Sequence, residues 1–371
     1  MDRFQLWTAG ALRGANAFPR HTVEDLRALR SWGANLVSFG VESVCNFAPP
    51  FDLRPNAFAD IDTALDRARA AGLFATINFR SAPGREDFNT DLHLFEDFLY
   101  HDAFVRMWRE TARQLKDNPA VVGYDLMCEP HPEDLFARDV QPAAPTPSGE
   151  GQLAAPTPSG EGQLAAPTPS GDDLAARMKD TPADWNLLAR SATAAIRAED
   201  PDTPIIINST GWSYPHAFAH LQPTGDPRTV YSAHYYSPHQ YTHQKPDQPV
   251  AYPGPVPAHV EPEQHWDADA IRRTLQPVRA FQQQHQTPIF AGEFGSARYA
   301  PGVLQFLRDQ IDLYEQWGWS HAYWDLRGWH VMDIEMSPDP NDRTRHPDTP
   351  LLQLFKSYFS GTTAYPPSPE T

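Results

Sequence analysis

Two rhythms of apolar and polar positions run along this chain. Eight short apolar runs, many of them β-branched, fall near residues 10–16, 34–40, 73–79, 121–127, 204–210, 229–236, 288–294 and 321–326. Each has the length of a strand, and most are separated by segments whose apolar residues recur at helical spacing. Leu26 and Leu29 share one face, with Thr22 placed to cap that helix and Gly33 to end it. Ile61, Ala64, Leu65 and Ala68 repeat the pattern before Gly72, and Phe104, Trp108, Thr111, Ala112 and Leu115 do so before Asn118-Pro119. Further helices are predicted near 183–199, 267–285, 303–317 and 349–359. Strands alternating with helices predict parallel βα units. Eight of them predict a closed α/β barrel, the (β/α)8 or TIM barrel. The competing architecture, an open doubly wound sheet, requires a Gly-rich phosphate loop after the first strand, and the sequence carries none there.

One stretch breaks the alternation. Residues 141–173 contain an 11-residue unit three times, starting at Gln141, Gln152 and Gln163 and rich in Pro, Ala, Thr, Gly and Ser. So short a period cannot bury a core, and an extended or disordered insertion is expected. It falls in the loop after the fourth strand, at the end of the barrel where chemistry is expected. It is either a tolerated surface expansion or a flap over the site. Residues 1–371 are otherwise read as one catalytic barrel domain.

Composition narrows the function classes. The 371 residues carry a formal charge of −17, which disfavours nucleic acid and anionic membranes as partners. Ten Trp, 20 Phe and 13 Tyr suffice for one large core and a ring-lined cleft. Two cysteines, Cys45 and Cys128, do not make a disulfide scaffold, and each is expected as a buried thiol. No run of 18 apolar residues is present, and the start of the chain lacks the apolar core of a signal peptide. As written the chain is expected to be a cytoplasmic monomer. A trimmed start would look the same and would suit an extracellular or periplasmic protein.

The chemistry gathers at the predicted strand ends, which in a parallel barrel open on one face. Gly123-Tyr124-Asp125-Leu126-Met127-Cys128-Glu129-Pro130 and Pro288-Ile289-Phe290-Ala291-Gly292-Glu293-Phe294-Gly295 are both apolar runs that end in a glutamate at a strand-to-loop junction. Two such carboxylates are what glycosidic bond cleavage needs, one as proton donor and the other to attack the sugar carbon or activate water. Around them the other strand ends bring Ser38, Arg80, Trp212, His234, Tyr236 and Trp324. Aromatic faces suit the C–H-rich sides of sugar rings, and polar groups read hydroxyls.

With these blocks in place, the chain resembles the family 5 glycoside hydrolases, cellulase-like retaining barrel enzymes with glutamates on strands four and seven. The resemblance extends over Leu12-Arg13-Gly14-Ala15-Asn16, Trp32-Gly33-Ala34-Asn35, the block from Asn118 to Pro130, His234-Tyr235-Tyr236, Tyr241-Thr242-His243-Gln244, Gly292-Glu293-Phe294-Gly295 and Trp317 to Trp324. It implies hydrolysis of a β-linked oligo- or polysaccharide, a glucan or related β-glycan, without a cofactor. It further implies Glu129 as acid/base with a raised pKa and Glu293 as nucleophile, with His234 and Tyr236 orienting Glu293 and Trp324 as the floor beneath the attacked sugar. The two carboxylates are then expected about 5–5.5 Å apart. Three positions depart from the family pattern. Cys128 stands where the family has an asparagine for the sugar 2-hydroxyl, Ser38 where it has an arginine, and Arg80 where it has a histidine. Arg80 is therefore expected to supply the guanidinium missing from strand two.

Other readings stay open beside this one. A carbohydrate-binding pseudoenzyme accounts for the replaced helpers but not for two retained glutamates. A transglycosylase would use the same intermediate. A metal-dependent hydrolase needs several ligands at strand tips, and only His234 qualifies in sequence, so no metal is expected. Trp212 is either a cleft platform or a core tryptophan. His239 and His243 either bind substrate or lie exposed. Asp125 is expected to be structural and turned away from the mouth, and His330, Asp333 and Glu335 to shape outer subsites.

Overall fold

In the computed structural model, which describes residues 2–138, 171–258, 262 and 264–360, eight parallel strands close on themselves. They are β1 (Arg13–Ala17), β2 (Leu36–Val41), β3 (Phe74–Phe79), β4 (Val121–Asp125), β5 (Ile205–Asn208), β6 (Thr229–Tyr235), β7 (Ile289–Phe294) and β8 (Ser320–Tyr323). Each pairs with its sequence neighbours, and β8 returns to β1 through Arg13–His321 and Ala15–Tyr323. The molecule is a (β/α)8 barrel with helices outside it, and all eight predicted strands are present.

The strands form where β-branched and aromatic residues alternate, and the alternation sorts the barrel interior by height. At the base, Leu12, Leu36, Phe74, Val122, Ile206, Val230, Phe290 and Ala322 make one apolar cluster. The helix Arg3–Thr8, which the periodicity did not predict, plugs it. Trp7 packs edge-on against Phe290 and donates its indole N–H to the Val122 carbonyl at 2.8 Å. Two and four residues further up the same inward faces come Ser38, Thr76, Asn78, Asn208, Ser232 and His234, all buried. The interior thus turns from apolar to polar towards the strands' C-terminal ends.

The helices are bounded by the signals the sequence carries. Val23–Ser31 starts with a full capping box between Thr22 and Asp25. Ala59–Ala71 ends on Gly72 in the left-handed region. Asp97, Asp184, Asp267 and Thr349 cap four later helices by accepting from backbone N–H groups. Two helix tryptophans reach back to the barrel. Trp108 donates to the Leu126 carbonyl at 3.0 Å and Trp185 to the Asn208 carbonyl at 2.7 Å, which pins the ends of β4 and β5. The repeat insertion lies outside the described residues up to residue 170, and the helix Gly171–Met178 begins within its last three.

Backbone contact between β1 and β2 sets a stability prediction. A Cβ at Gly14 would lie 1.8 Å from the Leu36 carbonyl oxygen. Neither backbone can yield without breaking the ladder, so Gly14→Ala is expected to destabilise the fold by about 3 kcal/mol or more. Urea unfolding of the two proteins checks this, and equal midpoints would show that the strands can separate at little cost.

Candidate active site

At the top of β4 the chain leaves the sheet and turns sharply. Glu129 sits at φ +49, a left-handed conformation costly for a residue with a side chain. Its neighbours hold it there. Arg85 is fully buried and donates to the Cys128 carbonyl at 2.7 Å and the Glu129 carbonyl at 3.1 Å, and His131 Nδ1 lies 2.8 Å from the same Glu129 oxygen. The turn swings the Glu129 side chain over the barrel mouth. Across from it, β6 and β7 change register after Ala233–Ala291, so that His234 stands opposite Glu293. Gly292 permits this approach, because a Cβ there would meet Ser232 Oγ at 2.5 Å and His234 Nε2 at 3.2 Å.

The two glutamates meet around one imidazole. His234 Nδ1 is 2.8 Å from Glu129 Oε1 and 3.7 Å from Glu293 Oε2. Glu293 is held on both oxygens. Tyr236 donates its hydroxyl to Oε2 at 3.0 Å, while Arg80 Nη1 and Cys128 Sγ each approach Oε1 at 3.4 Å. Arg80 is therefore turned into the site, and its guanidinium also lies 3.3 Å from Cys128 Sγ. It is sandwiched between Phe88, at 4.2 Å, and Trp324, at 5.0 Å. Ser38, on the adjacent strand β2, is buried and too short to do the same. Trp324 packs with Tyr236 and Met332, flanked by Phe18 and Trp329, and forms an aromatic floor beside Glu293.

The charge distribution corrects two expectations. Burial would raise the pKa of Glu129, but the His234 hydrogen bond and charge, with Arg80 and Arg85, outweigh it and hold the carboxyl below its usual range. Glu293 is raised, by burial first and by the Glu129 charge. Burial works against the charged form of His234 but is overcome by Glu293 and Glu129, and its pKa rises. Without substrate, then, Glu129 does not carry the raised pKa expected of it, because His234, Arg80 and Arg85 favour its charged form. His234 is also closer to Glu129 than to the Glu293 it was expected to orient. Burial pushes the Cys128 thiol well up, so it stays protonated and can donate to Glu293. Arg85 is lowered to about 10 by burial.

The remaining candidates spread around this centre. Trp212 stacks on His131, ring centroids 3.7 Å apart and 8° from parallel, with its edge against Phe88. It is thus tied to the site through Phe88 and Arg80. His239 stacks on His243 at 4.0 Å, and His243 packs against Tyr236 at 5.2 Å, which places His239 one layer outside. Asp125 is not turned away. It points inward, accepts from Asn208 at 2.6 Å and feels the His234 and Glu293 charges, with its pKa pushed up to about 7 by burial first. Asp333 and Glu335 are engaged by Arg345 and Arg327 and so brace their own loop. Arg85, Phe88 and His131 were not anticipated. They lie in loops, and no periodicity or motif marks them.

Comparison with known proteins follows the same outline. The family model for cellulases, glycosyl hydrolase family 5, matches residues 8–328. Endoglucanase C of Acetivibrio thermocellus is 22% identical over 312 residues, covering 77% of this chain and 76% of that protein. A β-xylosidase of Phanerodontia chrysosporium is 28% identical over 90 residues, 22% of this chain and 18% of that protein. Among solved structures, an endoglucanase superposes with TM-score 0.67 at 21% identity over 95% of this chain and 99% of that one. Thermotoga maritima Cel5A, in complex with mannotriose, does so with TM-score 0.65 at 19% identity over 95% and 100%.

Proposed function

This chain belongs to the cellulase family, glycosyl hydrolase family 5, and from that premise we propose that it cleaves a β-linked glucan or related β-glycan with retention of anomeric configuration. The observation that carries the mechanism is the spacing of the two glutamates about His234 Nδ1. The sum of those two contacts is an upper bound on the oxygen separation. It only reaches the lower edge of the ~6.5–9.5 Å that an inverting enzyme needs to seat a water between its carboxylates. There is room for direct attack instead. Glu293, steadied by Tyr236 and Arg80, attacks the anomeric carbon. Glu129 delivers a proton to the leaving oxygen, then takes one from the water that breaks the glycosyl ester. A sugar lying on Trp324 would meet Arg80 rather than an asparagine near its 2-hydroxyl. Arg80 is thus the replacement donor for a contact that Cys128 supports only weakly. Cellobiose and mannotriose complexes of Thermotoga maritima Cel5A support glucans and mannans as the first substrates to try.

The test uses a 2-fluoro activated β-glycoside, which forms the ester but breaks it slowly. A covalent mass on Glu293, with NMR showing the β-anomer as first product of the normal substrate, is the expected result. No adduct and an α-anomer would overturn the retaining mechanism.

The proton inventory gives a pH prediction. Two carboxylates, one guanidinium and one proton make the centre neutral, and the shared proton lies in the His234–Glu129 contact. His234 also faces Asp125 and Glu293, which keep its pKa above the ordinary 6.5. The stability from this proton is complete below that ordinary value and is lost as pH rises through the raised one. Activity should share that alkaline limb. His234→Asn removes the reservoir and leaves Glu129 to hold the proton beside Arg80 and Arg85. The alkaline limb of kcat/KM is therefore expected to move to lower pH. An unmoved limb would show that His234 only positions Glu129.

A further inference from the structure

The sequence offered one metal ligand at the strand tips; the folded chain assembles three. Sγ of Cys128, a carboxylate oxygen of Glu129 and a ring nitrogen of His234 all lie within 4.8 Å of one another. Glu293 borders this set through two different oxygens, Oε1 3.4 Å from Sγ and Oε2 3.7 Å from His234 Nδ1. A zinc ion bound by one sulfur, one nitrogen and one oxygen, with water in the fourth position, requires ligand-to-ligand distances of about 3.3–3.6 Å. His234 Nδ1 and Glu129 Oε1 are 2.8 Å apart and the other pairs lie within 4.8 Å, so side-chain rotations would bring the three to that spacing. The donor set is mixed, with a soft sulfur, a borderline imidazole and one hard carboxylate, which suits zinc and cadmium better than magnesium or calcium. Charge also balances. Binding expels two protons to water, one from the Cys128 thiol and one from the His234–Glu129 pair, and the resulting thiolate and two carboxylates offset the dication and the Arg80 guanidinium. Glu129, the most exposed of these side chains at 14%, marks the way in.

We infer that Cys128, Glu129 and His234 form a latent site for a thiophilic dication, with Glu293 at its edge, which closes the catalytic centre when the ion binds. The ion would be an inhibitor and not a cofactor. It occupies the Glu129 carboxylate and draws on the charge of Glu293 beside it, so proton donation stops and nucleophilic attack is blocked. Cys128 makes the difference, since an asparagine at that position offers no anionic sulfur. The inhibitory consequence rests on the proposed function, but binding itself does not.

The experiment uses the full chain stripped of metal by a chelator. Zinc titration by calorimetry is expected to show one tight equivalent, with loss of hydrolysis at the same stoichiometry and recovery on adding EDTA. Cobalt in place of zinc should give a near-ultraviolet thiolate-to-metal charge-transfer band. Cys128→Ser should abolish that band and weaken zinc by more than the roughly 10- to 100-fold typical of losing an outer-shell partner. Cys45→Ser should keep both signals. Absence of tight zinc binding, a band that follows Cys45, or zinc affinity unchanged in Cys128→Ser would overturn the site. If the protein hydrolyses no β-glycan, calorimetry and the cobalt band still decide whether it exists.

Discussion

Glu293→Gln is expected to lower kcat/KM on every β-glycan the wild-type chain cleaves by about 10⁴- to 10⁶-fold, the scale lost when a covalent nucleophile is removed. Glutamine keeps the volume, and its carbonyl can still accept from the Tyr236 hydroxyl that lies 3.0 Å from Oε2. What disappears is the negative charge that attacks the anomeric carbon. The variant should stay folded, and it should melt no earlier than wild type because the raised pKa of Glu293, set by burial first and by the Glu129 charge, means that its charge opposes the folded state. Kinetics, intact mass after exposure to the 2-fluoro glycoside, and a thermal melt check the three parts. Turnover within tenfold of wild type, or a covalent adduct still forming, would remove Glu293 from the nucleophile's place.

Glu129→Gln should behave differently, and the difference identifies its role. On natural glycans, whose leaving alkoxide needs a proton, the fall should be about 10²- to 10⁴-fold, the usual worth of general acid–base catalysis. On an aryl glycoside whose phenolate leaves unaided, the first step should be nearly untouched. The glycosyl-enzyme should then accumulate, because no base activates the water. Added azide, which needs no base, should restore turnover and release a β-glycosyl azide. The glutamine can still receive the His234 contact through its carbonyl, so geometry is preserved. An equal loss on both substrate types, with no azide rescue, would mean that Glu129 supports the site without transferring a proton.

Much of this centre was legible from local pattern. Glu129 and Glu293 stood out because each ends an apolar run in a strand-to-loop block, and the order of the blocks narrowed the fold. Arg80 was expected to turn inward, since strand two had lost its arginine, and it does. Arg85 and His131 were invisible for the opposite reason. They act on the Cys128 and Glu129 backbone from loops, through contacts spanning 43 and 2 residues, and outside a helix or strand no periodicity singles a residue out. Asp125 was misjudged because the inward face of β4 depends on how β3 and β5 pair with it. That pairing carries an irregularity at Ala75–Thr76.

What the amino-acid order determined alone is the alternation of strands and helices, their caps and the presence of an acid at each of two strand tips. These follow from short-range preferences of side chains and backbone. Tertiary structure decided the protonation pattern and the company each acid keeps. Arg80 and Glu293 are 213 positions apart and 3.4 Å distant, and Glu129 and His234 are 105 apart and 2.8 Å distant. Charge interactions depend on distance and burial, which exist only once the barrel has closed. The sequence could thus nominate the two carboxylates. It could not say that an imidazole would stand between them, that a thiol and a guanidinium would share one oxygen, or that the neighbours would push the pKa of one acid down and of the other up.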